Sequence, residues 1–110
     1  MTRPRVAVVI VNYRSGPLLA RALAAVARQS HPPARVLVVD NGSEDGSLDG
    51  IAGDFPGVEI LSPGANLGFA AANNLAVASA VDVDWVALLN PDAFPEPEWL
   101  ARCLDLAAAP

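Results

Sequence analysis

Four short polar segments carry most of the groups in this sequence that could do chemistry. They are Asn12-Tyr13-Arg14, Asp40-Asn41-Gly42-Ser43, Pro63 to Gly68, and Asn90-Pro91-Asp92. Carboxylates accept hydrogen bonds from ring or backbone N–H groups, and they ligate hard divalent cations. Carboxamides donate and accept at once. Glycine lets the chain turn tightly or approach a ligand closely. Such groups suit the holding of a polar ligand. Nucleophilic chemistry has less to work with. His31 stands beside Pro32-Pro33 with no nucleophile or carboxylate partner in view, and it reads as a loop residue. Cys103 is the single cysteine, so no intrachain disulfide can form and a cysteine-based metal site is not expected.

The elements that must position these segments are legible around them. Arg5 to Val11 (RVAVVIV) is a continuous β-branched run, as in a strand covered on both faces. Leu18, Leu19, Ala22, Leu23 and Val26 recur at helical spacing, and Pro32-Pro33 stops that helix. Arg35 to Asp40 is a second buried strand, followed by a loop (NGSEDG) and a short helix around Leu48 to Phe55 that Gly50 and Gly53 weaken. Val58 to Leu61 is a third strand, and alanine-rich Phe69 to Ala80 a helix. Trp85 to Leu89 is a fourth strand. The last helix has Pro97 in its first turn and Trp99, Leu100, Cys103 and Leu104 as its buried stripe. Trp85 is expected in the core or half-buried.

This alternation predicts an α/β fold: a Rossmann-like half-domain with a mostly parallel four-stranded sheet flanked by helices, in one domain over residues 1–110. In open parallel sheets ligands bind beyond the carboxyl ends of the strands. Each of the four polar segments follows a strand, so all should converge on one edge of the sheet.

Composition narrows the ligand. The net charge is −5, and the basic residues are arginines scattered singly from Arg3 to Arg102, so no basic face is available and nucleic acid is excluded as a partner. The hydrophobic fraction of 53% against 17% charged predicts a real core. The residues after the first strand are NYRSGP, not the glycine fingerprint of a dinucleotide site, and the chain has no lysine for a P-loop. A receiver-type phosphorylation domain would want an acidic pair after the first strand and a late lysine, and neither is present. No apolar run approaches the roughly 18 to 20 residues of a membrane span. A signal peptide is not expected either, because the first apolar stretch stops at Asn12 and no cleavage site follows. The protein is read as cytoplasmic, with attachment to the inner face of the membrane left open.

The segments VAVVIVNYRSG, VLVVDNGSEDGS, GANLGFAAANN and LLNPDAFPEPEWL resemble the N-terminal half of a family 2 glycosyltransferase with the GT-A fold. The NLGFA and NPDA variants look most like its rhamnosyltransferase-like branch. The resemblance runs from Val6 to about Leu104. It implies that Val11 and Tyr13 line the pocket for the nucleobase and ribose. It implies that Asp40 accepts a hydrogen bond from the imide N–H of a uracil or thymine ring. Asn66 and Gly68 would lie near the nucleotide, with Asn74 close behind. Asn90-Pro91-Asp92 stands in the place of the family's D-x-D motif, so Asn90 would sit at the donor and Asp92 would bind Mg2+ or Mn2+. A sugar diphosphate brings close to two negative charges, and an acidic protein needs a cation to hold it. Magnesium and manganese bind through one or two carboxylates plus phosphate oxygens and water. Arg14 could add a charge-assisted contact.

The implied activity is transfer of a sugar from a UDP- or dTDP-linked donor to a cell-envelope or polysaccharide acceptor, glycan or lipid-linked precursor, with inversion at the anomeric carbon. Two departures stand against the family pattern. Asn90 replaces the first acid of D-x-D and removes one charge from the metal site, a change common in the branch it resembles. The family's second half supplies the acceptor site and the catalytic base, so the chain is expected to be the N-terminal part of a longer domain. No residue here is assigned as the base; Asp105, on the last helix, reads as solvated. The alternatives are a nucleotide-binding module without transferase activity, or a remnant prone to associate through its exposed edge. Asp40, Asn41 and Asp92 also suit plain turn chemistry, Gly68 a left-handed turn, and Tyr13 packing over a strand end.

Overall fold

In the computed structural model, residues 4–108 are described. Four strands and four helices alternate strictly: β1 (Val6–Asn12), α1 (Leu18–Ala27), β2 (Arg35–Asp40), α2 (Ile51–Asp54), β3 (Val58–Leu61), α3 (Phe69–Ser79), β4 (Trp85–Leu89) and α4 (Trp99–Ala108). The sheet has the order β3-β2-β1-β4, and every pairing is parallel. The expected fold class is observed, with the sheet parallel throughout.

β1 is buried along its whole length because it is central in the sheet and covered on both faces. Alternate residues face opposite sides. Val6, Val8 and Ile10 pack with Leu19, Leu23 and Val26 of α1, Ile51 of α2 and Leu100 of α4. Ala7, Val9 and Val11 pack on the other face with Leu37 and Val39 of β2 and with Ala72, Ala76 and Ala80. The α3 side of this second layer is all alanine, so the helix can lie close against the sheet. Its one leucine and one valine, Leu75 and Val77, point elsewhere and are exposed.

α1 ends at Ala27, before the prolines. Backbone bonds from Arg28 to Ala25 and from Gln29 to Val26 tighten its last turn. The buried Gln29 side chain then crosses to the β4–α4 connection. It donates to the Glu96 carbonyl at 2.7 Å and accepts from the Leu100 backbone N–H at 3.0 Å. A helix start leaves such N–H groups without intrahelical partners, and here a glutamine just beyond the end of α1 supplies one.

The last helix departs from its expected pattern. Leu100 is fully buried and Trp99 and Leu104 are half-buried, but Cys103 is exposed. Trp85 is 48% exposed. The cause is topological. β4 is an edge strand, so α4 has sheet beneath only part of its apolar face, and Cys103 and Leu104 line an open groove with Trp85 and Leu88. Pro97 lies ahead of the helix rather than in its first turn, and its carbonyl accepts the Ser30 N–H at 2.8 Å. His31 is buried, with Nε2 placed 3.0 Å from the Pro4 carbonyl, away from the carboxyl edge of the sheet. No helix among the described residues is long and apolar enough to cross a membrane.

Candidate donor-binding cleft

The chain runs from β1 outward to β2 and β3, then returns to place β4 on the other side of β1. That reversal opens a crevice beyond the carboxyl ends of β1 and β4, the position where open α/β sheets take ligands. A cleft of about 350 Å³ lies there, lined by Val11, Tyr13, Asn41, Asn66, Gly68, Phe69, Asn90 and Pro91. A second hollow of about 260 Å³ shares Val11, Phe69 and Asn90 and adds Asn73, Leu88 and Trp99. Val11, Tyr13, Asn66, Gly68 and Asn90, picked out in sequence, thus meet in one place.

The walls are held by side-chain amides. Asn41 is buried and bridges two loops: its Oδ1 accepts the Leu67 N–H at 3.0 Å, and its Nδ2 donates to the Gly68 carbonyl at 3.3 Å. Asn66 accepts the Gly68 N–H at 2.8 Å. Gly68 has φ +81° and ψ 164°, a conformation open essentially to glycine alone, and it turns the loop into α3. Asn73 is buried and donates back to the Phe69 carbonyl at 3.1 Å, whereas Asn74 is exposed. Tyr13 is 45% exposed, with the Arg14 guanidinium 5.2 Å from its ring centre.

Asp40 does not line the cleft. It is buried behind the wall with both oxygens engaged. Oδ1 accepts from Asn12 Nδ2 at 3.1 Å, and Oδ2 accepts the Ser43 N–H at 3.1 Å. The second bond is the turn-capping contact that aspartate favours after a strand. Its neighbour Asn41 presents to the cleft instead. Asn41 and Phe69 are lining residues that the sequence reading left out of the site. The turn signature around Asn41 obscured the first, and Phe69 read simply as the start of a helix.

Asp92 is exposed in the connection after β4, and among the described residues no side-chain hydrogen bond or ion pair reaches it. That connection is braced from behind by Gln29 and by Arg21, whose guanidinium stands 4.9 Å from the Phe94 ring centre. Among the described residues, no three His, Cys, Asp or Glu side chains gather as a metal cage. A single exposed carboxylate next in sequence to Pro91 of the cleft wall fits the shared mode of magnesium or manganese binding, in which ligand phosphates and water complete the shell.

The fold and crevice define a parallel α/β ligand-binding domain of the GT-A, Rossmann-like kind. The chain belongs to glycosyl transferase family 2, whose profile matches residues 7–110. It is 36% identical over 111 aligned positions to the N-acetylglucosaminyl-diphospho-decaprenol L-rhamnosyltransferase of Mycobacterium tuberculosis, covering 92% of this chain and 36% of the relative. The mannosyltransferase PcManGT of Pyrobaculum calidifontis, solved with GDP-Man and Mn2+, superposes with a TM-score of 0.87 at 29% identity, over 100% of this chain and 34% of that one. S. aureus TarS 1-349 with UDP-GlcNAc shares the fold at a TM-score of 0.81 and 22% identity, over 92% of this chain and 30% of that one. The chain therefore spans about a third of the length of the proteins it matches.

Proposed function

We propose that this chain forms the donor-binding part of a glycosyltransferase that takes a sugar from a UDP- or dTDP-linked donor. The observation that carries the reading is the convergence of Val11, Tyr13, Asn66, Gly68 and Asn90 on one cleft at the strand reversal, with the free Asp92 carboxylate in the same β4–α4 connection as Asn90. Tyr13, Val11 and Phe69 offer apolar and aromatic surface to a base and ribose, and the amides of Asn66 and Asn90 offer paired donors and acceptors to hydroxyls. Asp40 acts on the base site from behind the wall, through Asn12 and the turn at Ser43, not through a free oxygen.

Asp92 would hold Mg2+ or Mn2+ against the donor diphosphate, and the bound ion would stabilise the charge that develops on the leaving group. Asn90 leaves that site with one carboxylate, so binding of the ion should depend on the nucleotide. The transfer itself is an inverting displacement. An acceptor hydroxyl forms its bond to the anomeric carbon as the bond to the diphosphate oxygen breaks, and a base takes the hydroxyl proton. No residue of this chain is assigned as that base. The acceptor is read as a cell-envelope glycan or lipid-linked precursor, in line with the diphospho-decaprenol named for the mycobacterial relative. That acceptor class would bring the protein to the cytoplasmic face of a membrane.

Thermal unfolding with UDP, dTDP, GDP and ADP, each with and without Mn2+, tests the donor site. A ligand at 100 times its dissociation constant stabilises the fold by about 2.7 kcal/mol. In a domain this small, that raises the melting temperature by on the order of 10 °C. A manganese-dependent shift with UDP or dTDP is expected. No shift with any nucleotide, on folded protein, would overturn the reading and leave the segments as turn chemistry.

A further inference from the structure

We infer that Asn12 is a positioning residue for the cleft: it touches no ligand, and one buried carboxamide sets the geometry of both loops that build the base-side wall. The inference rests on the nucleotide-binding reading above. Asn12 is the last residue of β1, lies in register with Asp40, and is 0% exposed. Its Nδ2 donates to Asp40 Oδ1 at 3.1 Å and to Ser47 Oγ at 3.0 Å, with Ser43 Oγ at 3.3 Å. On the other edge, its Oδ1 accepts from the Ser15 hydroxyl. Its backbone carbonyl accepts the Asn41 N–H at 2.8 Å.

These contacts lead to the cleft by two routes. Ser15 ties down the loop that carries Tyr13, and the Arg14 N–H in the same loop donates to Ser43 Oγ at 2.7 Å. Arg14 is held there at φ +51°, a strained conformation for a residue other than glycine, so the loop needs such ties. Asp40 and Asn41 carry the second route, because Asn41 holds the Leu67–Gly68 wall. Asn12 must therefore donate to a carboxylate on one edge and accept from a hydroxyl on the other. A carboxamide of this length does both. Aspartate keeps the shape but loses the donor and sets a second carboxylate against Asp40. Leucine keeps the bulk and loses both bonds.

The charged groups bonded into this network are Asp40 from β2, Asp45 from the following loop, and Arg14, through its backbone N–H, from the β1–α1 loop. Glu44 and Asp49 stand in the same β2–α2 loop and are exposed. Asp45 accepts the Gly16 and Ser47 N–H groups at 2.9 and 3.0 Å. Asp92 lies in the connection after β4, and α3 has no charged residue.

The test measures binding of UDP, dTDP and GDP with Mn2+ to the chain by titration calorimetry, at neutral and mildly acidic pH. Circular dichroism and unliganded melting establish folding. Asn12→Asp is expected to bind about tenfold more weakly or worse at neutral pH, since a buried charge loses its donor. Acidification should restore binding, because two carboxylates in contact share a proton and one can again donate. Asn12→Leu should lose binding at every pH. Ser15→Ala, which buries no new group, should weaken binding a few-fold and carries the test if Asn12→Leu does not fold. Wild type that binds no nucleotide would sink the donor reading itself. Wild type that binds, beside a folded Asn12→Asp that binds equally well or loses binding without recovery in acid, would overturn the positioning role alone.

Discussion

The two ends of the sheet are built from different chemistry. At the amino ends of the strands, charge does the work. The Arg35 guanidinium makes a two-pronged contact with Glu59 at 2.7 and 2.8 Å, reaches Asp82 at 2.8 Å and caps the Ser79 carbonyl at the end of α3. Arg5 joins the same cluster through Asp82, and its backbone N–H donates to Asp84. These contacts hold Glu59 and Asp82 below their usual carboxylate range, in each case chiefly through the hydrogen bond from Arg35, and push Arg35 up, with Glu59 the largest cause. At the carboxyl ends the loops are tied by the carboxamides of Asn12, Asn41 and Asn66 and the hydroxyls of Ser15, Ser43 and Ser47, with the Asp40 and Asp45 carboxylates taking hydrogen bonds from neutral N–H groups rather than from arginine side chains. These ties use neutral donors, and among the described residues they leave the Asp92 carboxylate without an ion pair. A cluster of opposite charges would have satisfied itself and offered nothing to an anionic ligand. The amino end is thus closed electrostatically, and the carboxyl end is shaped and open.

Substitutions at the two ends should separate binding from stability. The largest effect is expected from Asp92→Ala: manganese-dependent stabilisation by nucleotide disappears, while the unliganded melting temperature stays as in wild type. Retained binding in that variant would remove Asp92 from the metal site. Gly68→Ala comes next. The strained backbone should cost about 1–3 kcal/mol in chemical denaturation, and nucleotide affinity should fall with it because the wall moves. A stable variant with unchanged affinity would show that the wall adapts.

Gln29→Ala should cost about 1–2 kcal/mol, since the buried Leu100 N–H loses its partner. It also loosens the connection that carries Asp92, so the manganese requirement should shift to higher concentration. The smallest effect belongs to the amino end. Glu59 and Asp82 have depressed folded-state pKa values, so the stability they contribute is present above the ordinary carboxylate range and is lost as pH falls through the folded-state values. Glu59→Gln should therefore lower the melting temperature slightly at neutral pH, by an amount that vanishes in acid and in high salt. Nucleotide affinity should not change. A binding defect in that variant would break the division between the two ends.

The fold and the edge on which the polar segments gather were legible in sequence, for definite reasons, whereas the charge cluster at the amino end was not. The strands and helices announce themselves through β-branched runs and helical spacing, and their strict alternation leaves a parallel sheet as the arrangement that buries them. Polar segments that follow strands then share an edge by topology, which is why Val11, Tyr13, Asn66, Gly68 and Asn90 could be gathered without coordinates. What could not be read was which of two adjacent residues faces the cleft. Asp40 and Asn41 both suit a turn and both are buried, and only the packed loops place Asn41 in the cleft wall and Asp40 behind it. Asn12 stood out only as part of the polar segment after the first strand and Gln29 not at all, because an amide becomes a brace only through partners distant in sequence. Cys103 misled for the same reason: its helical stripe is apolar, but the stripe overhangs an edge strand.

The sequence by itself determined the class of fold, the end of the sheet at which the polar segments gather, and the acidic net charge of −5. Those follow from local periodicity, composition and the handedness of chain connections. The tertiary structure alone decided the cleft's walls, the inward turn of Asp40 and the freedom of Asp92. Each depends on hydrogen bonds between segments far apart in the chain, and such bonds are fixed by register and packing rather than by the identity of any one residue.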